Sequence, residues 1–213
     1  MMRALACLAA ACLFAGPALA GDAAIGRYRA AEGPDVASEL IIKPDGHFEY
    51  ALAAGALDLQ AKGRWVRNGD HVELFTEPKP VPPVFATATN GTTREEALTV
   101  LVSWPDGSGI AGINLLIGFA QGEPVDGYTQ DYGWSLPAEE KRMPQWIELS
   151  LPMFGLVSPH FPIDVKNANA LRFTLVPNDL GTVDFQGARV DVEGTRLTLQ
   201  FEGDSFRYVR EGK

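Results

Sequence analysis

Apolar and polar residues alternate with a period of two in short runs along this chain, and turn residues separate the runs. Residues 48–52, 98–102, 115–119, 147–151 and 171–175 all follow this pattern. Successive side chains of a β-strand point to opposite faces, so each run predicts a strand with one buried face. The 22 glycines and 15 prolines favour many tight turns. The sequence therefore predicts an all-β protein.

Four turn sequences predict which residues face each other in hairpins. The Pro44-Asp45-Gly46 loop should pair Ile42 with Phe48 and Leu40 with Tyr50, because its glycine supplies the positive φ of a bulged hairpin. Asn68-Gly69 is typical of a type I′ turn and should place Trp65 opposite Val72.

Two further turns lie near the C-terminus. A Gly194-Thr195 loop should pair Val192 with Leu197, and it also sets Glu193 opposite Arg196. A Gly203-Asp204 loop should pair Phe201 with Phe206. Together they predict a three-stranded meander over residues 188–210.

A proline-rich segment divides the chain. Residues 77–83 read Glu-Pro-Lys-Pro-Val-Pro-Pro, which predicts an extended linker rather than a central strand. We expect residues 21–83 and 183–213 to form one discontinuous β-barrel or sandwich domain, and residues 94–180 to form a second, antiparallel sandwich. Two sequential domains are the alternative.

The first 20 residues have the pattern of a cleaved signal peptide. Arg3 precedes an apolar run, and Ala18 and Ala20 are the small residues of a cleavage site. The apolar run is too short to span a bilayer. We therefore expect a periplasmic or secreted protein, cleaved near Ala20 and without a membrane segment afterwards. Cys7 and Cys12 lie within this segment, so the mature chain should lack thiols.

The charge balance restricts the partners. The chain has 18 basic and 27 acidic residues, and loss of Arg3 on cleavage changes the net charge from −9 to −10. Such a balance disfavours nucleic acid and anionic membrane surfaces as partners. An envelope protein or a polysaccharide remains a candidate.

Motifs in residues 94–180 resemble a transthyretin-like carboxypeptidase regulatory domain. They are Val-Leu-Val-Ser at 100–103, Pro-Asp-Gly-Ser-Gly-Ile-Ala-Gly-Ile-Asn-Leu at 105–115 and Thr-Gln-Asp-Tyr-Gly at 129–133. Ile110-Ala111 and Gln130 depart from the family pattern. The resemblance implies a small β-sandwich that acts as a structural or binding module, without catalytic residues.

The flanking segments resemble a lipocalin-like bacterial domain. The motifs are Gly-Arg-Tyr at 26–28, Asp-Gly-His-Phe at 45–48, Gly-Arg-Trp at 63–65, Gly-Asp-His-Val-Glu-Leu at 69–74 and Glu-Gly-Thr-Arg-Leu-Thr-Leu at 193–199. The resemblance implies a barrel. Its interior would either hold a ligand cavity or be filled by side chains, and the residues concerned are Phe48, Tyr50, Trp65 and Tyr208.

Candidate catalytic and metal-binding residues are sparse. His47, His71 and His160 share no ligand spacing, and we expect His47 and His71 on the surface. Ser158 and His160 lie two residues apart in a proline-rich loop, but a catalytic pair is defined by its geometry and an orienting acid, so this proximity is poor evidence for a hydrolase site.

The acidic residues are interpreted as solvated or turn residues. This applies to the pairs Glu95-Glu96 and Glu139-Glu140 and to Asp106, Asp126 and Asp131, which lack the spacing of a calcium loop. We therefore expect no catalytic residue, metal site or cofactor.

Aromatic residues near predicted turns are the better functional lead. The candidate binding surface consists of Trp104, Tyr128, Tyr132, Trp134 and Trp146. Such rings can stack on sugars or anchor a protein partner, and they can equally cap the core. The leading hypothesis is a non-enzymatic interaction or structural module of the periplasm or envelope. A carrier of small apolar ligands is the alternative, and a hydrolase is the third hypothesis.

Overall fold

The computed structural model describes residues 21–30, 36–92, 97–201 and 203–212. The expected signal peptide and the Glu95-Glu96 pair lie outside these residues. Within the described part of the chain, no helix has the length and apolar character needed to cross a membrane.

The secondary structure is almost entirely β. In chain order the strands are β1 (Gly26–Ala30), β2 (Val36–Ile42), β3 (His47–Ala54), β4 (Leu57–Asn68), β5 (His71–Thr76), β6 (Val84–Thr87), β7 (Thr99–Ser103), β8 (Asn114–Phe119), β9 (Val125–Tyr128), β10 (Trp134–Ser135), β11 (Pro144–Leu151), β12 (Leu156–Val157), β13 (Phe161–Pro162), β14 (Ala170–Val176), β15 (Gln186–Glu193), β16 (Arg196–Phe201) and β17 (Asp204–Arg210). A 3₁₀ turn, Pro152–Phe154, follows β11. The all-β prediction is confirmed.

Eight strands close into an antiparallel barrel that uses both ends of the described chain. Its order is β1-β17-β16-β15-β5-β4-β3-β2. The N-terminal and C-terminal strands join at two pairs, β5–β15, in which Val72 lies opposite Val190, and β1–β17, in which Tyr28 lies opposite Arg210. Trp65, Val72 and Tyr208 share one buried core, as the discontinuous arrangement predicts. The division into domains with particular bounds stays a prediction.

Large side chains fill the middle of the barrel. Phe185, which precedes β15, is 1% exposed, and its ring centroid lies 5.9, 5.2 and 5.0 Å from those of Phe48, Tyr50 and Phe201. Such aromatic contacts add packing energy to the burial of the rings. Burial also raises the pKa of the Tyr50 hydroxyl above its ordinary value.

The remaining strands form two sheets around a second core. One sheet has the order β10-β7-β14-β6, and the other has β12-β11-β8-β9 with β13 also paired to β11. Their inward residues pack into one cluster, which gives a sandwich. The runs at 98–102, 115–119, 147–151 and 171–175 supply most of that cluster, as predicted. One pair, β7 with β14, is parallel.

Two of the hairpin predictions are confirmed. Ile42 lies opposite Phe48 and Leu40 opposite Tyr50, and Gly46 has a φ of 86°. Near the C-terminus, β15, β16 and β17 form the expected meander, with Val192 opposite Leu197 and Glu193 opposite Arg196.

The other two hairpin registers are wrong by two residues. Trp65 faces Leu74 rather than Val72, because the loop is Gly69-Asp70 instead of Asn68-Gly69. Gly69 has a φ of 60° and occupies the first loop position, where a type II′ turn needs glycine. Phe201 faces Asp204 rather than Phe206, because β16 and β17 join one residue earlier than predicted.

Candidate functional site

A cleft of about 710 Å³ lies where the proline-rich segment, the 3₁₀ turn and the strand leading into β15 meet. We call it the linker cleft. It is lined by Leu59, Lys79, Pro80, Val81, Pro82, Pro83, Pro152, Met153, Phe154, Gly155, Asp179, Leu180, Gly181, Thr182, Val183, Asp184 and Phe201. Most of these residues are apolar or proline, so the cleft favours an apolar ligand.

Hydrogen bonds fix the proline-rich wall. Val81 N–H donates to the Asp179 carboxylate at 2.8 Å, and Asp179 N–H donates back to the Val81 carbonyl at 3.1 Å. Asn178 Nδ2 donates to the Pro82 carbonyl at 2.8 Å. Residues 79–83 lie outside the strands, as the linker prediction requires. Proline limits φ in this segment, so the wall is held in a restricted conformation.

The opposite wall is the 3₁₀ turn between β11 and β12. Gly155 ends this turn in the left-handed region, at a φ of 62°, and donates its N–H to the Pro152 carbonyl. Met153 and Val81 are 48% and 56% exposed. Two apolar side chains from segments far apart in sequence are therefore open to solvent in the same cleft.

The floor of the linker cleft belongs to the barrel. Gln60 N–H donates to the Gly181 carbonyl, and Val183 N–H donates to the Gln60 carbonyl, each at 2.8 Å. Thr76 Oγ1 donates to the Val183 carbonyl at 2.8 Å and accepts from Phe185 N–H at 2.9 Å. The segment leading to β15 is thus attached to β4 and β5, and this attachment connects the cleft floor to the barrel core.

A second cleft, of about 740 Å³, lies over strands β1–β4. The alternating burial of β2 and β3 puts Ala37, Ala51 and Ala53 on the exposed face, where their small side chains leave a shallow depression. Glu39 at its rim already pairs with Arg27 at 3.0 Å. This surface is flatter than the linker cleft.

The five aromatic residues of the predicted binding surface do not form one platform. Trp104 and Trp134 pack against the sandwich core, and the Trp134 ring occupies the space beside Gly127. Tyr128 and Tyr132 are 61% and 84% exposed. Two residues of the predicted surface, Trp104 and Trp134, therefore pack against the core, whereas the rings of Tyr128 and Tyr132 are exposed to solvent.

Trp146, the fifth aromatic residue, lies flat on the outer face of the sandwich. Its ring fills the space over Gly118, where a Cβ would stand 1.8 Å from the Trp146 ring. The His160 ring stacks on it with a 3.8 Å centroid distance and a 3° interplanar angle. The indole is therefore enclosed between backbone and imidazole, which leaves little ring face for a sugar.

His160 has an acidic partner but no usable nucleophile beside it. Its Nε2 lies 3.2 Å from Glu148 Oε2. Ser158 Oγ instead donates to the Pro159 carbonyl at 2.8 Å and accepts from Leu149 N–H at 2.9 Å. Both hydrogen bonds serve the backbone, so this arrangement lacks the serine–histidine bond of a catalytic triad.

The remaining candidate residues, His47, His71 and the acidic residues, do not converge on one site within the described part of the chain. His47 is exposed, while His71 is half-buried near the carboxylates of Asp70 and Glu73. In the described ranges, no group of three or more His, Cys, Asp or Glu residues could hold a metal ion. Hydrogen bonds from Arg142 lower the pKa of Glu140 to about 2. Asp106 accepts from Ser108 in a local turn.

The linker cleft was not foreseen from the sequence. The proline-rich segment was a signal for an extended wall, but nothing in the sequence indicates that Met153 would face it. The chain is an all-β protein with a closed eight-stranded barrel and a sandwich. No protein-family model, curated protein or solved structure matches the chain.

Proposed function

We propose that the protein is an exported, non-enzymatic interaction module of the periplasm or cell envelope that binds an extended apolar segment of a partner protein in the linker cleft. The observation that carries this proposal is the exposure of Val81 and Met153 in one cleft. Exposed apolar surface within a concave site is typical of an interaction site. The transthyretin-like and lipocalin-like resemblances are compatible with a binding module and remain part of the proposal.

The rigidity of the cleft supports a peptide ligand. Hydrogen bonds to Asp179 and Asn178 hold the proline-rich wall, so little conformational entropy is lost when a ligand binds. Asp184 and Lys79, 3.9 Å apart, lie at the polar side of the cleft and could orient the partner backbone. A sugar ligand has less support, because Trp104, Trp134 and Trp146 are packed or covered.

The two other hypotheses have weaker support. A carrier would need room inside the barrel, where Phe185 packs against Phe48 and Tyr50. A hydrolase would need a free hydroxyl at Ser158, whose oxygen already binds Leu149 N–H and the Pro159 carbonyl.

A peptide array tests the proposal. The mature chain is applied to immobilised ten-residue apolar peptides, and the affinity of each hit is then measured in solution. We expect V81D and M153D each to weaken binding roughly tenfold, since each places a charge in the apolar cleft. The control V66D adds the same charge at an exposed valine of β4 and should leave binding unchanged. Equal affinity in all four proteins would refute the linker cleft as the binding site.

A further inference from the structure

Two arginines of the barrel differ from the other barrel arginines in having no side-chain partner among the described residues. Arg196 on β16 and Arg207 on β17 have no side-chain hydrogen bond or ion pair with any described residue. The other arginines on barrel strands each have such a partner; they are Arg27, Arg29, Arg64, Arg67, Arg189 and Arg210. In a chain with net charge −9, unpaired neighbouring cations are unexpected.

The strand register brings these two arginines onto the same outer face. Arg207 lies directly opposite Thr198, and Arg196 precedes Thr198 by two residues on the same strand. The intervening Leu197 and Tyr208 are buried, so the two arginines point away from the core. Diagonal neighbours of this kind are about 7–8 Å apart at the backbone, within the reach of two long side chains.

The surroundings leave both guanidinium groups open to a ligand. A shallow cleft of about 570 Å³ lies between them and is lined by Glu193, Arg196, Leu197, Thr198, Arg207, Tyr208 and Val209. Glu193 lies across from Arg196 in the ladder, but the two side chains form no ion pair. Two like charges this close repel each other, and a bound anion would remove that cost.

We propose that Arg196, Arg207 and Thr198 form a binding site for a phosphate group. Arginine presents a planar fork of donors that matches phosphate oxygens, and two such forks supply two positive charges. The Thr198 hydroxyl, which also has no hydrogen bond to a described residue, adds a donor between them. A doubly charged phosphate matches this donor set better than a singly charged carboxylate. The site is separate from the linker cleft and independent of the proposed function.

The phosphate could belong to a soluble phosphomonoester or to a phospholipid headgroup. The overall negative charge disfavours an extended anionic membrane, so we expect the soluble form. The test titrates the mature protein with phenyl phosphate by calorimetry at low salt. A parallel arm measures co-sedimentation with vesicles of phosphatidylglycerol and of phosphatidylcholine.

Two double variants complete the design. R196Q/R207Q should weaken phosphate binding by roughly tenfold or more. R29Q/R64Q removes the same charge from exposed arginines that have carboxylate partners, and it should bind like the wild type. Circular dichroism checks that each variant folds. Loss in R196Q/R207Q alone supports the site, and the responding probe identifies the source of the phosphate. Absence of binding by the wild type to either probe, or equal loss in both variants, overturns it.

Discussion

The barrel and the sandwich differ in whether their sheets have edge strands. The barrel closes on itself, so all eight of its strands have neighbours on both sides. The sandwich keeps edges: β6 pairs with β14 alone and β12 with β11 alone within the described ranges. Most exposed large apolar residues of the described ranges follow this division. Val66 and Val209 lie on the barrel, and the other seven lie outside it: Val81, Val84, Tyr128, Tyr132, Met143, Met153 and Val157.

This contrast explains why the linker cleft lies beside the sandwich. Closed barrels leave little unpaired backbone or apolar surface for a partner, whereas open edges and their loops do. The barrel supplies the rigid floor through Gln60 and Thr76, and the turn after β11 supplies an exposed wall. The linker cleft thus combines a floor attached to the barrel with an exposed wall from the sandwich.

The largest expected effect separates the two cores. Phe185→Ala should lower the free energy of unfolding of the barrel by about 3–5 kcal/mol, because it removes a ring that packs against three others. Phe173→Ala should do the same in the sandwich core, where Phe173 lies 5.0 Å from Phe161. Urea unfolding gives the magnitude, and hydrogen exchange identifies the strands that lose protection.

The pattern of exchange is the decisive part of this experiment. F185A should expose β1–β5 and β15–β17 together, because one core holds both ends of the chain. F173A should mainly expose β7, β8, β11 and β14. Identical exchange patterns in both variants would contradict two separate cores. V209A, an exposed change on β17, should shift stability by less than about 0.5 kcal/mol.

A smaller effect is expected at the attachment of the cleft floor. Thr76→Val keeps the shape but removes the oxygen that binds the Val183 carbonyl and Phe185 N–H. Leaving these buried groups unpaired should cost about 1–3 kcal/mol. The measurement is urea unfolding, with T76S as the control because it keeps the hydroxyl. A T76V protein as stable as the wild type would mean that the floor is attached in another way.

The faces of the strands were predictable because they depend on local alternation. Two hairpin registers were wrong, yet each error was an even shift that kept Trp65, Leu199 and Tyr208 pointing inward. A glycine next to a polar residue is compatible with more than one two-residue loop. The turn sequence alone therefore did not determine the strand partners.

The candidate sites depended on contacts between distant residues, which the sequence does not specify. Phe185 lies outside any long alternating run, so its place in the barrel core carried no sequence signal. Trp146 and His160 meet only because β13 pairs with β11. That Arg196 and Arg207 have no partner among the described residues likewise depends on the side chains around them.

A modest effect is expected on the outer face of the sandwich. Gly118→Ala places a Cβ where the Trp146 ring lies, so the ring must move off the strand and away from His160. The cost should be about 1–2 kcal/mol, within the range for overpacking, because a side chain rather than backbone has to move. Near-UV circular dichroism reports the ring environment. The comparison variant H160A removes the stacking partner without crowding the strand, and an unchanged spectrum in both would contradict the enclosed indole.

The smallest effect concerns an exposed ion pair at the start of β11. Arg142 donates to both oxygens of Glu140 and holds the pKa of that carboxyl at about 2, below its ordinary value of 4.5. A lowered pKa in the folded state means that the pair stabilises the fold at neutral pH, and that this contribution is lost as the pH falls from the ordinary value through about 2. Carboxyl NMR should therefore show Glu140 titrating near pH 2, and R142Q should move its pKa back toward the ordinary value.

Arg142 also lies over the Phe119 ring at 4.0 Å and binds the carbonyls of Gln121 and Glu123. R142K keeps the charge but loses the planar fork, so an intermediate pKa of Glu140 is expected. If the carboxyl titrates at its ordinary value in the wild type, the Arg142 guanidinium does not hold it.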